Sequence, residues 1–436
     1  MSPDSLEANA PFSLNYAQAS AKEMSRERQE AWTRYKNLGL PNHRLESWRY
    51  TDFRTACSTT FEPADERIDH IVLDREHDSF RLVLIDGLLR HDLSDLNLMP
   101  DGVKVENIYD NLSKLTEKYF FNSNVFSNLI TDSIVDLNTA LASAGYLIKI
   151  EKDIHLTKPI EILNVITKQC SVFTRILIDL SENSRTQLIE TIKNNSSQGA
   201  QINHVLSVKL AQDSDLSLFS YLSGSGFSCT GVSTLLSELG RGASLNSHLL
   251  FDLNGFFRRQ VFAKLNAECA NITLNGIVLG QHKDHIDNTI FIEHCAPNTT
   301  SNEVFRYILN NNSIGVFQGK IIVKPTAQKS DGFMQSKAIL LSELASMNSK
   351  PELEIFADDV KCSHGSTCGE IDKEQLFYLM SRGLDEQEAL SLLIESFAFE
   401  AFSALNDDTI ADFTKNILAD WLYAERQLSL IFLKIY

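Results

Sequence analysis

The chain has 436 residues, 43% of them hydrophobic and 22% charged, enough apolar material for a large core and roughly two to four domains. Lys and Arg number 40 against 57 Asp and Glu, a formal charge of −17, which argues against a broad nucleic-acid or anionic-membrane surface. The cysteines are seven, odd in number and scattered, so a disulfide framework is not expected and a reducing compartment fits better.

The opening MSPDSLEANAPFSLN has neither a basic stretch nor an apolar one, so no signal peptide is expected. No apolar run is long enough to cross a bilayer, and the chain reads as cytoplasmic. Tyr16 to Leu38 has helical composition, closed by Gly39 and Pro41. Trp48 and Tyr50 in LESWRYTD read as aromatics that pin a domain edge. Phe80 to Arg90 predicts two strands about a turn at Asp86-Gly87. Asn128 to Gly145 is amphipathic, with Leu129, Ile134, Leu137 and Leu141 near helical spacing and Gly145 as its end. Residues 1–145 are thus expected to form a mixed, largely helical domain.

From Tyr146 the texture changes to short β-rich runs separated by turn clusters, beginning with YLIKI and IEILNVI and continuing to KIIVKP. Small polar residues after the turns recur at Ser184, Ser214, Ser244, Asn271, Ser301 and Ser330, a period near thirty residues. Such a period without helices predicts stacked rungs, a right-handed parallel β-helix over 146–369. A propeller blade is longer; a β-sandwich stays open on pattern alone. A solenoid needs its ends capped, and the N-terminal helical domain can cover one of them. After Gly369 the helical pattern returns in a C-terminal domain, 370–436. Leu376 to Gly383 is one helix. Asp385 with Glu388 forms a capping box opening the next, and a last helix spans about Thr409 to Tyr423. The apolar face of Leu390, Leu393, Ile394, Phe397 and Phe402 suits either a core or a partner's groove.

Little of the chain suggests catalysis. Gly315 to Lys320 is one residue short of a phosphate loop, with Ile321 where a magnesium-binding hydroxyl belongs. No GxSxG element is present. His282, His285, His294 and Cys295 have metal-binding side chains, but their spacing matches no standard zinc module, and rung packing is the plainer reading. Asp358 and Asp359 are adjacent, so on a strand they would face opposite ways. The informative stretch is PELEIFADDVKCSHGSTCG, Pro351 to Gly369. On an extended chain Cys362 and His364 leave the same face and can address one soft or borderline metal, or one persulfide sulfur. A thiol beside imidazolium can be held as a thiolate. Two donors do not close a metal site, so a half-site completed by a second protein is expected.

The run from Asp287 to Glu388, with LESWRYTD near the N-terminus, resembles the SufB/SufD family of iron–sulfur cluster assembly scaffolds. Within it, VKCSHGST resembles the SufD side, because SufB has acidic residues around the matching histidine. SufB also carries a sulfur-accepting cysteine in a Gln-Cys-Asp context, where this chain has Gln335-Ser336-Lys337 and no thiol. The resemblance implies a right-handed parallel β-helix flanked by helical domains. It implies a non-catalytic scaffold that pairs with SufB through the β-helix, and docking of the ATPase SufC on the C-terminal helical domain. It also implies a transient iron–sulfur cluster at the SufB interface, built with His364 and its neighbour Cys362. Cys368 stands where the family usually has an aliphatic residue. Homodimer formation by the chain alone stays open, and neither nucleic acid nor membrane is expected as a partner. The competing readings are a β-helix carbohydrate-active enzyme, with a carboxylate-lined groove, and a zinc-dependent structural adaptor.

Overall fold

The computed structural model describes residues 11–20, 25–64, 71–108, 132–403, 405 and 407–433. Among them, strands follow in chain order. They are β1 (Phe80–Ile85), β2 (Leu88–Leu89), β3 (Val103–Asn107), β4 (Tyr146–Ile150), β5 (Ile160–Ile166) and β6 (Ser171–Leu180). Next come β7 (Arg185–Asn194), β8 (Ala200–Leu210), β9 (Asp215–Leu239), β10 (Ser244–Leu265), β11 (Asn271–Gly280) and β12 (His285–His294). The last are β13 (Thr300–Leu309), β14 (Ile314–Val323), β15 (Asp331–Leu340), β16 (Ser346–Ile355) and β17 (Lys361–Gly369).

Two parallel ladders carry the architecture. One runs β1, β5, β7, β9, β10, β11, β13, β15, β17; the other runs β4, β6, β8, β9, β10, β12, β14, β16. Each turn of the chain gives one strand to each ladder, and β9 and β10 are long enough to serve both. The body is therefore a parallel β-helix, and the sandwich alternative is set aside. Arg185, Asp215, Ser244, Asn271, Thr300, Asp331 and Lys361 stand side by side in successive turns. The period marked by Ser184, Ser214, Ser244, Asn271, Ser301 and Ser330 falls on this file or one residue from it. Between ladders the chain turns through left-handed positions held by Asn183, Asp213, His282, Asn298 and Asn311. Asn and Asp tolerate this conformation better than most residues.

Leu, Ile and Val at alternate strand positions fill the interior from Leu82 to Met334. Each fully buried side chain of this size contributes about 1.5–3 kcal/mol relative to exposure. At the start of the solenoid, β1 pairs in antiparallel fashion with β2 through Asp86 and Gly87, and β3 with β4.

The helices α1 (Ser13–Ser20), α2 (Arg26–Leu38), α3 (Phe53–Ala56) and α4 (Ser133–Leu141) pack through Trp32, Tyr35, Phe53, Ile134 and Leu137. The expected helix from Tyr16 to Leu38 comprises α1 and α2, with residues 21–24 outside the described part. Gly39, at φ 71°, donates its N–H to Tyr35 O at 2.7 Å and ends α2. For the amphipathic segment beginning at Asn128, residues 128–131 lie outside the described part. Its helix ends at Leu141, and Gly145 has another reason. A β-carbon there would stand 1.7 Å from the carbonyl oxygen of Arg175. These helices meet Phe173 and Val232, so they cover a flank of the second ladder rather than an end of the solenoid.

The segment Glu46 to Thr51 continues along that flank. Glu46 pairs with Lys350, Ser47 O accepts from Gln318 Nε2 at 3.3 Å, and Thr51 donates to Asp287. Trp48 is buried with the Arg258 guanidinium 3.9 Å from its ring centroid. Trp48 is thus buried at this edge, and the segment that carries it reaches four successive turns of the solenoid.

The C-terminal helices are α5 (Lys373–Ser381), α6 (Glu386–Phe399) and α7 (Asp408–Leu433). The Asp385–Glu388 capping box opens α6. Ile394, Ala398, Phe402, Leu418 and Trp421 pack on Phe219, Tyr221, Leu250, Ile277 and Ile308 of the first ladder. Of the apolar face read from the sequence, Ile394 and Phe402 are core, while Leu390, Leu393 and Phe397 are half-buried. No helix among the described residues is long and apolar enough to cross a membrane.

Candidate metal-binding strand at the end of the solenoid

β17 is the last strand of the first ladder. It pairs with β15 in the register Gly332↔Cys362, Met334↔His364, Ser336↔Ser366 and Ala338↔Cys368. Gly332, Met334, Ser336 and Ala338 are all buried, so their neighbours lie on the face that continues the interior of the solenoid. Among the described residues no further turn pairs beyond β17, and that face opens to solvent. Cys362 is half-buried, whereas His364 and Cys368 are exposed. Cys362 packs against the core, its Sγ 3.5 Å from the place of an absent β-carbon at Gly332.

Two residues of extended chain separate Cys362 from His364, about 7 Å of strand, within reach of one ion. Cys368 lies six residues from Cys362, about 20 Å along the strand, and cannot join it on one metal. No group of three or more metal-binding side chains comes together among the described residues. This chain therefore offers two donors, fewer than a closed site needs. Burial raises the Cys362 thiol, and the charge of Asp331 adds to this, against a backbone hydrogen bond from Gly332. The expectation of an imidazolium-stabilised thiolate is corrected: Cys362 carries its proton until something displaces it, as a metal does.

The other sequence candidates separate. His294 is buried and bonded to Thr299 Oγ1 at 2.8 Å and Ser301 Oγ at 2.9 Å. His285 stacks on Phe256 at 4.4 Å and meets Thr51 Oγ1 at 3.0 Å. His282 sits at a turn. These residues are rung packing. Asp359 belongs to the turn entering β17, its N–H bonded to Gln328 Oε1 at 3.0 Å.

Reading the sequence missed a polar file inside the solenoid. Thr174, His204, Ser233, Arg259 and Asn288 stand in register on the second ladder, all buried. Glu190 faces them, accepting from Ser220 at 2.6 Å and lying 2.9 Å from His204 and 3.3 Å from Arg259. It also missed Glu303, which is wholly buried with neither carboxylate oxygen bonded. Alternation gives the signal: each sits at an inward strand position that the pattern reserves for apolar side chains.

The fold and this uncovered strand define a class, a parallel β-solenoid whose last turn shows a thiol and an imidazole to solvent. The chain matches the model of the SUF system FeS cluster assembly SufBD core domain over residues 164–397, and that of the SufBD protein N-terminal region over residues 12–162. It belongs to the SufBD family of iron–sulfur cluster assembly proteins. The iron–sulfur cluster assembly protein SufD of Escherichia coli is 29% identical over 85% of this chain and 86% of its own. A SufBD family protein of Synechocystis is 27% identical over 84% and 83%. SufD of Bacillus subtilis is 22% identical over 81% and 83%. The chain is a SufD homologue.

Proposed function

We propose that this chain is a non-catalytic scaffold that lends Cys362 and His364 to an iron–sulfur cluster while the cluster is being built. The observation that carries this is the last strand. Its donors face solvent and its outer backbone edge has no partner strand among the described residues. An uncovered edge is a template for a second chain. A SufB-type partner is the natural one, and it supplies the remaining ligands. Imidazole and thiolate both suit iron. Sharing the ligands between two proteins keeps the cluster removable, since separating them breaks its cage. As a scaffold of this kind the protein works in the cytoplasm.

The C-terminal domain, 370–436, is assigned to the ATPase SufC. α5 buries none of its residues and exposes Phe377, Tyr378 and Met380, and α6 exposes Leu392. These exposed apolar side chains are what a docked ATPase would cover. ATP-driven movement of the ATPase subunits then shears the junction between the two solenoids.

Co-expression of His364→Ala with its partners tests the assignment. The complex is expected to form normally, with iron and sulfide content falling severalfold. Unchanged content in an intact complex removes His364 from the site. Capture of the ATPase by the wild-type complex and its loss on Phe377→Asp tests the helical surface.

A further inference from the structure

Glu303 lies in one inward file of the solenoid, Leu218, Ser247, Leu274, Glu303, Met334 and His364, each in register with the next. Two strand spacings separate it from His364, about 10 Å. Its carboxyl is wholly buried and both oxygens are without a hydrogen bond. A buried, unbonded carboxylate is costly, so such a group keeps its proton. Burial is the sole cause found for its displacement, to about 8. The neighbouring elements bring no compensating charge. Leu274 of β11 lies on one side and Met334 of β15 on the other. His294 of β12 is engaged by Ser301 and Thr299, and burial holds it low, at about 4, so it is neutral. Arg259 of β10, deeper inside, is paired with Glu190. Arg306, three residues further along β13, is bound to Glu400 at the C-terminal cap of α6.

We propose that Glu303 is the internal counter-charge of the terminal strand: it is neutral while the strand is empty and releases its proton when an iron(II) ion arrives at Cys362 and His364. This rests on the reading of those two residues as donors. The step balances as Fe²⁺ plus Glu–COOH giving Fe²⁺ facing Glu–COO⁻ with H⁺ passing to solvent, and no electron is transferred. Across ~10 Å, at an effective dielectric of ~20, a unit of positive charge favours ionisation roughly tenfold to twentyfold. The carboxylate thus offsets the ion's charge without occupying a coordination position, which leaves those positions for sulfide and the partner's ligands.

The experiment uses the full chain with its SufB-type partner, titrated anaerobically with Fe²⁺ near pH 7.4. Heats measured in two buffers of different ionisation enthalpy give protons released per iron. Protons from the ligands themselves are common to all variants and cancel in the comparison. Wild type is expected to release about half a proton more than Glu303→Gln, from a tenfold shift of a group titrating near neutrality. Glu303→Leu, which keeps the interior apolar, gives the same comparison should the amide not fold. Equal proton counts, with Fe²⁺ binding that is lost in His364→Ala, overturn the role of Glu303 and leave the donors standing. Fe²⁺ binding that survives His364→Ala overturns the donor reading itself, and the coupling falls with it.

Discussion

Two buried glutamates show how the same side chain is used in opposite senses. Burial alone would raise Glu190, yet Arg259, His204 and Ser220 outweigh it and hold the carboxyl well below the usual range. Its stability contribution is present above the ordinary carboxylate pKa and is lost as pH falls through the lowered value. Glu303 has no such company and is raised from 4.5 to about 8. Below 4.5 it costs nothing beyond its burial as an acid. As pH rises from 4.5 to 8 the folded state loses up to roughly 1.4 kcal/mol per pH unit relative to a neutral side chain. Glu303→Leu is therefore expected to be more stable than wild type by a margin that widens from pH 5 to pH 8. Denaturant unfolding across that range measures it, and a margin independent of pH refutes it. The thiols sort by the same physics. Cys57, Cys170 and Cys229 are buried and raised to about 12 or beyond, so they are expected to stay unalkylated until the protein unfolds. Exposed Cys269 and Cys368 react first, and half-buried Cys362 more slowly, in a mass-spectrometric time course.

At the scale of elements, one contact fastens the C-terminal helices to the solenoid beside the terminal turns. Arg306 of β13, 3% exposed, reaches Glu400 at the end of α6 at 2.8 Å, and Lys337 of β15 joins at 3.3 Å. Arg306 also bonds Gln335 Oε1 at 2.7 Å. Glu400→Ala leaves a buried guanidinium short of its carboxylate, at a cost of about 1–3 kcal/mol. Faster amide exchange in α6 with unchanged exchange in β7 to β11 is the expected pattern. Uniform acceleration would mean that the helices and solenoid unfold as one unit. The sequence announced α6 clearly, because Asp385 and Glu388 are three residues apart and Gly383 precedes them. It could not announce the Arg306–Glu400 tie, whose partners are far apart along the chain. The same limit hid the place of β1 to β3, which are short strands joined to the solenoid by pairings with β4 and β5. It also misplaced the N-terminal helices, whose flanking position depends on which ladder carries Phe173 and Val232.

For the molecule as a whole, repetition made the architecture legible. Each turn repeats the same alternation and the same polar turn residues, so thirty-residue spacing survives even where one marker is off by a residue. The end of the solenoid was legible in part. Cys362 and His364 stood out because two residues on a strand share a face. Glu303 did not, because a charged residue is ordinarily read as facing solvent, even where it alternates with Phe305, Tyr307 and Leu309. The terminal turn also makes a prediction of its own. Amides of β16 and β17 that point outward are expected to exchange rapidly in the lone chain and to gain protection when a SufB-type partner binds. Protection confined to the C-terminal helices would place that interface elsewhere.

The open rim of the solenoid carries a further cost. Leu344, 68% exposed, and Phe356, 60% exposed, lie at either end of β16, whose outer edge pairs with no strand among the described residues. Such a rim accepts strands indiscriminately, including those of unfolded or identical chains. On the proposed pairing with a SufB-type partner, synthesis in excess of that partner is expected to favour clumping, and matched amounts to avoid it.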